Sequence, residues 1–126
     1  MAFLNDLATA LDTASVTGGA TGWAATKAFM PDSPDKVVHL SESGGSPSEQ
    51  GETGYDFPSF QAVVRSTQFD YEGARSKADA VVSALNNTQT GSTVYVYTRH
   101  APLPIGYDQN NRPMISLNFD CMKTRA

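Results

Sequence analysis

The sequence predicts a two-layer α+β domain in which helices cover one face of a mainly antiparallel sheet. Two segments repeat apolar residues every three or four positions, as one face of a helix does. Other segments are short, rich in β-branched and aromatic residues, and bounded by turns that contain glycine or proline. The chain has 126 residues, of which 40% are hydrophobic. That is enough for one core, so we expect a single domain over residues 1–126.

Two helices are expected from the periodic segments. The first spans residues 2–16, and the following pair Gly18-Gly19 favours a helix end because glycine readily adopts the left-handed conformation. Asp70 is well placed to cap the second helix, whose apolar residues recur at helical spacing over residues 74–85. Each helix should therefore bury one face against the sheet.

Four main strands are expected, and a shorter one within residues 23–30. The main strands occupy residues 36–42, 60–69, 93–99 and 114–122. In the last of them Ile115, Leu117, Phe119 and Cys121 alternate with Ser116, Asn118 and Asp120, which predicts one buried and one polar face. The main elements follow the order α-β-β-α-β-β.

The strand at residues 93–99 has two apolar faces. Val94 and Val96 lie on one side, and Tyr95 and Tyr97 lie on the other. Only one side can face the core beneath the helices. The tyrosine side therefore faces solvent or another subunit, or packs beneath a loop.

A long acidic loop is expected at about residues 43–57, which contain four glycines, one proline and no apolar periodicity before Tyr55. The interval between Lys36 and Arg65 has four acidic residues and no lysine or arginine, so it carries a charge of −4. Two interpretations remain open. The loop is either a tip kept soluble by its charge, or an arm that orders on a partner.

Catalytic and metal-binding patterns are missing. His39 and His100 have neither HxH nor HExxH spacing, and the glycines match neither a Walker motif nor GxGxxG. His39 is expected to be a half-exposed sheet residue, His100 a surface turn residue, and Cys121 a small core residue. We expect no enzyme activity, no cofactor and no metal.

Charge and hydropathy exclude further classes. The net charge is −4, and no basic cluster is present, which argues against a general nucleic-acid binder. A single cysteine excludes an internal disulfide. No apolar run approaches the ~20 residues of a membrane span, and the first residues lack signal-peptide features. We expect a protein that stays in the compartment where it is made.

Four segments, in order, resemble the tail terminator (minor capsid or tail completion) proteins of long-tailed bacteriophages. Residues 29–45 contain Met-Pro and Pro-Asp, then a hydrophobic strand and Gly-Gly, and residues 57–65 form a proline-led strand that ends in Arg65. Residues 70–74 form an Asp-Tyr-x-x-Ala segment. Residues 104–119 contain Asn111-Arg112-Pro113 and the last strand. Together they are spread over residues 29–119 of the chain.

The resemblance implies a structural role in the virion. Such proteins assemble in the host cytoplasm as a ring, usually six-fold, on the last ring of the tail tube. They stop tube growth and present a surface to the head completion or connector protein, while DNA passes through the lumen without specific binding. Another head-tail connector protein, a small enzyme using His100, or a ligand-binding domain are the alternatives.

Five residues are candidates for the ring or partner interface. Tyrosines are favoured at protein interfaces because they combine a large apolar area with a polar tip. Carboxylates of the acidic loop would either line the channel, where they repel DNA phosphates, or meet basic groups of an adjoining ring. The candidates are Glu49, Glu52, Asp56, Tyr95 and Tyr97.

Overall fold

The computed structural model describes residues 2–18, 21–27, 29–32, 35–46, 55–86, 88–90 and 93–124. Two helices and seven strands lie in these residues. They are α1 (Ala2–Thr13), β1 (Ala24–Lys27), β2 (Val37–Ser46), β3 (Tyr55–Arg65), α2 (Tyr71–Leu85), β4 (Thr88–Thr90), β5 (Thr93–Thr98), β6 (Leu103–Tyr107) and β7 (Pro113–Thr124).

All seven strands belong to one sheet, in the order β1-β2-β3-β7-β5-β4, with β6 also paired to β7. The pair β1–β2 is parallel, and the other pairs are antiparallel. The predicted α+β class is confirmed. β1 confirms the shorter strand expected within residues 23–30, which stood outside the order of main elements α-β-β-α-β-β. β4 and β6 were not predicted, because strands of three and five residues are too short to show a distinct alternation.

Both helices pack on the same face of the sheet, as predicted. The central pair of this core is Phe60 on β3 and Phe119 on β7, whose rings stack at 4.8 Å between centroids. The sequence alternation of β7 is reproduced, since Ile115, Leu117, Phe119 and Cys121 are all buried. The helices contribute Leu4, Leu7, Ala8, Leu11, Ala74, Ala78, Val81 and Leu85.

Helix α1 ends three residues earlier than predicted. Ser15 adopts a left-handed conformation with φ 60°. Its N–H donates to Asp12 O, and the N–H of Val16 donates to Leu11 O at 2.9 Å. This is the Schellman arrangement of helix ends. The helix therefore stops at Thr13, well before the glycines that were expected to end it.

Helix α2 begins as predicted, at an N-cap formed by Asp70. Its Oδ1 accepts a hydrogen bond from the N–H of Gly73 at 3.1 Å, and its Oδ2 accepts one from Ser66 Oγ at 2.8 Å. A Cβ at position 73 would lie only 2.1 Å from Asp70 Oδ2, so the cap requires glycine there.

The opposite face of the sheet, called the second face below, is polar and hydrogen-bonded. Gln61 Nε2 donates to Ser116 Oγ at 2.8 Å, and Ser59 Oγ donates to Asp120 Oδ1 at 2.6 Å. His39 also lies on this face, but the expectation that it is half-exposed was wrong. It is only 8% exposed, and its Nδ1 lies 2.8 Å from Thr26 Oγ1 on β1.

The acidic loop is shorter than the predicted span of residues 43–57. β2 continues to Ser46 and β3 begins at Tyr55, because β2 and β3 pair as far as Ser46 and Phe57, and β3 pairs with β7 as far as Tyr55. The intervening residues 47–54 lie outside the described part of the chain. The extent of a single domain over 1–126 stays a prediction.

Replacing Leu117 by aspartate is expected to unfold the domain. Leu117 is fully buried between the helices and the sheet. An unpaired carboxylate there should cost at least about 4 kcal/mol, a large part of the about 5–15 kcal/mol that stabilises a typical domain. Thermal unfolding followed by circular dichroism measures the loss. Ser76→Asp adds the same charge at an exposed position of α2 and should melt near the wild type; a cooperative wild-type melt of Leu117→Asp would contradict the assigned core.

Candidate assembly surface

Arg112, just before β7, is buried and surrounded by three aspartates. Its Nη2 donates to Asp32 Oδ1 at 2.8 Å, its Nη1 to Asp35 Oδ1 at 3.0 Å, and its Nε to Asp108 Oδ2 at 2.8 Å. Nη1 also donates to the backbone oxygen of Asp32 at 2.6 Å. The side chain of Arg112 is only 6% exposed, whereas that of Asp32 is 84% exposed. The guanidinium therefore holds an otherwise exposed loop in place.

A second buried arginine, Arg65 at the end of β3, binds the same loop through its backbone. Its Nη2 donates to Pro31 O at 2.8 Å, and its Nε donates to Asp35 O at 3.1 Å. Arg65 projects from the second face, next to buried Val37 in the register of β2 and β3. Pro31, Asp32 and Asp35 consequently cover this end of the second face. We call Arg65, Arg112, Asp32, Asp35 and Asp108 the arginine clamp.

The charges of the clamp are coupled. Burial lowers the pKa of Arg65, and the neighbouring positive charge of Arg112 lowers it further. Burial also opposes the charge of Arg112, but its hydrogen bonds to the three aspartates raise its pKa above the usual value. Burial alone would raise the pKa of Asp108, yet hydrogen bonds from Arg112 and from the N–H of Asn110 hold that pKa below its usual value.

The β6–β7 turn and the loop before α2 are joined beside the clamp. Asp108 Oδ1 accepts hydrogen bonds from the N–H groups of Asn110 and Arg112, which shapes the turn. The N–H of Phe69 donates to Asn111 O at 2.9 Å. Both Phe69 (φ 61°) and Asn111 (φ 60°) have left-handed backbones. For a phenylalanine this conformation is strained, and the surrounding hydrogen bonds hold it.

Exposed aromatic residues concentrate at this end of the molecule. Phe29 is 79% exposed and Phe69 is 69% exposed, and both adjoin segments held by the clamp. Tyr71, at the start of α2, and Tyr107, directly before the clamp turn, are also exposed. We call Phe29, Phe69, Tyr71 and Tyr107 the aromatic end. Large apolar side chains grouped on a surface commonly mark a protein interface.

Strand β6 extends this apolar surface. Leu103, Ile105 and Tyr107 are each about half exposed. Within the described residues β6 pairs with β7 alone, so its other edge is available to a partner. A bulge interrupts the β6–β7 register between Pro104 and Gly106, and Gly106 has φ 102° in open space. The positive φ alone therefore explains the glycine.

Tyr97 is the one interface candidate whose side chain is described. It is 42% exposed and lies opposite Asp120 in the register of β5 and β7, on the second face. Asp120 accepts hydrogen bonds from Arg99 Nη2 and Ser59 Oγ, both at 2.6 Å, and these lower the pKa of its carboxyl. Tyr97 therefore lies on a polar surface whose side chains are held by hydrogen bonds.

The other four candidates cannot be assigned side-chain positions. Glu49 and Glu52 lie outside the described residues. Asp56 and Tyr95 have described backbones only, with Asp56 opposite Lys123 in β7 and Tyr95 opposite Met122. The register thus places Lys123 opposite Asp56, although the interval between Lys36 and Arg65 contains no lysine or arginine.

The side chains considered for catalysis, Cys121 and His100, lie in surroundings that belong to the fold. Burial raises the pKa of the Cys121 thiol to about 12, as expected of a core residue and unlike a reactive thiolate. His100 is partly exposed, with Nδ1 2.6 Å from Ala101 O and Nε2 2.8 Å from Asn118 Nδ2. No group of three potential metal ligands occurs among the described residues. No described helix is long and apolar enough to cross a membrane.

The family of the chain follows from a match to a family model. The model, described as "Bacteriophage tail terminator protein", matches residues 6–125. The chain belongs to this family. It is accordingly a structural protein of the phage tail, and the resemblance inferred from the sequence motifs is confirmed.

A solved structure shares the fold. A chain from the "Virion of native gene transfer agent (GTA) particle" superposes with a TM-score of 0.74 at 16% sequence identity, covering 96% of this chain and 93% of that chain. None of the curated proteins compared with the chain matches it.

The arginine clamp was missed from the sequence, although its parts were noted separately. Asp32 and Asp35 lie in the first resemblance segment, Arg65 ends the second, and Arg112 lies in the last. The motifs thus meet in one cluster, joined across as many as 80 residues. A signal was available, because the pair Asp108 and Arg112 has the spacing of a tight turn closed by a side chain.

Stability should depend on the ionisation of Asp108. Its pKa is lowered by folding, so its ionised form stabilises the fold above the unfolded pKa of ~3.9 and this contribution disappears as pH falls through the folded value. Asp108→Asn should be less stable than wild type at pH 7 and lose less stability between about pH 5 and pH 3. Urea unfolding at several pH values tests this; parallel curves would contradict it. Asp79→Asn removes a carboxylate from an exposed pair on α2 and should keep wild-type stability at pH 7.

Proposed function

We propose that copies of the chain assemble into a ring, most simply a hexamer, on the last ring of the tail tube. This ring stops addition of further tube subunits and offers its other side to the head completion or connector protein. Family membership supports the location at the tail. The observation that carries the assembly itself is the apolar surface formed by β6 and the aromatic end.

That surface has the properties that assembly requires. Leu103, Ile105 and Tyr107 lie on a strand whose outer edge has no partner among the described residues. The neighbouring aromatic end is held rigidly by the clamp, so little conformational freedom is lost when a partner binds. The bulge at Gly106 twists the edge and would restrict which strands can pair with it. A specific contact is thereby favoured over aggregation.

The proposed ring functions in the virion neck after assembly in the host cytoplasm. DNA would pass its lumen without specific binding, in keeping with the net charge of −4. The role requires neither catalysis nor a cofactor, and the structural nature of the family supports this. The family match supports the tail terminator over the alternative connector and enzyme assignments.

We assign the five candidate residues to two contacts within this proposal. Tyr95 and Tyr97 belong to the face that meets another subunit, and the exposure of Tyr97 supports this. Glu49, Glu52 and Asp56 contact a neighbouring subunit of the neck in preference to lining the channel, because basic groups there would complement a charge of −4 that has no lysine or arginine within its own interval of the sequence.

Ring formation should be lost when the apolar edge becomes charged. Ile105→Lys places a cation on an exposed position, so folding should persist while assembly fails. Tyr97→Ala should likewise weaken assembly more than it lowers the melting temperature. Light scattering after size exclusion, with negative-stain images of protein alone and mixed with tube subunits, reports the oligomer. Ser83→Lys, an equal charge on an exposed position of α2, is the control; a strict monomer in the wild type under both conditions would refute the ring.

Removing the acidic charges should impair the joining of heads to tails. The variant Glu49→Gln/Glu52→Gln/Asp56→Gln replaces each carboxylate by a neutral amide and adds only one methylene, at position 56, so the domain should fold normally. Joining is measured by mixing purified heads with tails assembled in the presence of the variant and counting infectious particles. Wild-type yields and rates would show that the segment is only a solvated tip.

A further inference from the structure

Two lysine side chains lie close to the ring of Trp23, the single tryptophan of the chain. Trp23 is buried, and its ring centroid is 5.7 Å from Lys36 Nζ and 5.2 Å from Lys77 Nζ. At these distances each ammonium is attracted to the ring by a cation–π interaction. We call Trp23, Lys36 and Lys77 the dibasic site.

Three separate elements fix this site. Trp23 follows a tight turn in which Gly22 has φ 76° and the N–H of Trp23 donates to Thr21 Oγ1 at 3.1 Å. The backbone of Lys36 is held next to β1, because the N–H of Ala24 donates to Lys36 O. Lys77 reaches from α2, and its Nζ donates to Val16 O at 2.8 Å. The backbone of Lys36 and the ammonium group of Lys77 are therefore positioned before any partner binds.

The two cations have no carboxylate partner among the described residues, where the ion pairs involve Arg75, Arg99 and Arg112. Burial lowers the pKa of Lys77, and the charge of Lys36 lowers it further. Two like charges held together are an unfavourable arrangement that an added anion would relieve. A carboxylate would also accept hydrogen bonds from the ammonium protons that remain free.

We propose that the dibasic site binds acidic side chains of a second copy of this chain, namely Glu49 and Glu52 of its 47–54 segment. The inference rests on the proposed ring and names one contact within it. Charge complementarity identifies the occupant, since the interval between Lys36 and Arg65 carries −4 without any lysine or arginine. Such a contact aligns the two copies and speeds their association, in addition to increasing the affinity between them.

The length of β2 indicates that the contact is between copies. Lys36 directly precedes β2, and the acidic segment follows it. The ten residues of β2 span about 33 Å at about 3.3 Å per residue. Lys36 and the acidic segment are therefore attached at opposite ends of β2 in one subunit. A contact between two different patches on neighbouring copies is heterologous, the type of contact that closes into a ring.

Charge reversal tests the pairing. Lys36→Glu and, separately, Glu49→Lys/Glu52→Lys should each lower the assembled fraction at least tenfold, and a chain carrying both sets should regain most of it. Lys27→Glu has the same net charge as Lys36→Glu but changes a lysine that bonds to Asn5, and should assemble normally. If circular dichroism shows that a reversal unfolds the chain, the milder Lys77→Gln replaces it; this variant removes one of the two charges of the dibasic site and should also lower the assembled fraction.

The outcomes separate this inference from the ring itself. If both reversals lower the assembled fraction and the combined chain does not regain it, the pairing of the dibasic site with Glu49 and Glu52 is overturned. The proposal that the wild-type chain forms a ring would still stand. Absence of wild-type rings would instead refute the proposed function.

A direct binding test does not depend on assembly. A peptide of residues 42–56, titrated into the full chain, should change the Trp23 fluorescence saturably at low salt. The effect should vanish with glutamines at 49 and 52, with Lys36→Glu, and at about 1 M salt, where the Debye length is ~3 Å. Equal binding of the glutamine peptide, or no change with the acidic one, would also overturn the pairing.

Discussion

The arrangement of the loops depends on two arginines that are buried at one end of the sheet. A buried guanidinium is unfavourable unless its donors are satisfied, and here they are satisfied only if distant segments come together. Arg65 binds backbone oxygens of Pro31, Asp32 and Asp35, and Arg112 binds the side chains of Asp32 and Asp35 and that of Asp108 in the β6–β7 turn. The requirement to pair these charges thus fixes the loop before β2, the start of β7 and, through the turn, the position of β6.

The sheet divides the molecule into two chemically different sides. Hydrophobic burial beneath α1 and α2 accounts for one side, where Phe60 and Phe119 stack at its centre. The second face has hydrogen bonds between strands, from Thr26 and His39 across to Asp120 and Arg99. These bonds hold polar groups in fixed positions without adding much net stability, which suits a surface that must present a constant shape to a partner.

Local periodicity predicted the helices and the alternation of β7, because both are properties of neighbouring residues. The Asp70 cap was predictable for the same reason. The end of α1 at Thr13 was not, since it depends on a left-handed Ser15, a conformation that serine rarely adopts, and on the hydrogen bonds of Ser15 and Val16 to the last turn. The clamp depends on contacts between residues up to 80 positions apart, which no periodicity reveals. Resemblance to a family found the segments, but only the fold showed that they meet.

The two ends of the strands differ in a way that suits a contact between neighbouring copies in the proposed ring. The clamp, the aromatic end and Lys36 lie where β2 begins and β3 ends, whereas the acidic interval continues from the other end of β2. One end thus offers rigid apolar and basic groups, and the chain at the other end carries carboxylates. Two identical ends could pair only with each other, in a two-fold contact that does not continue around a ring. Chemically distinct ends give each partner one favourable orientation and penalise the reverse, which is how specificity arises from a difference in affinities.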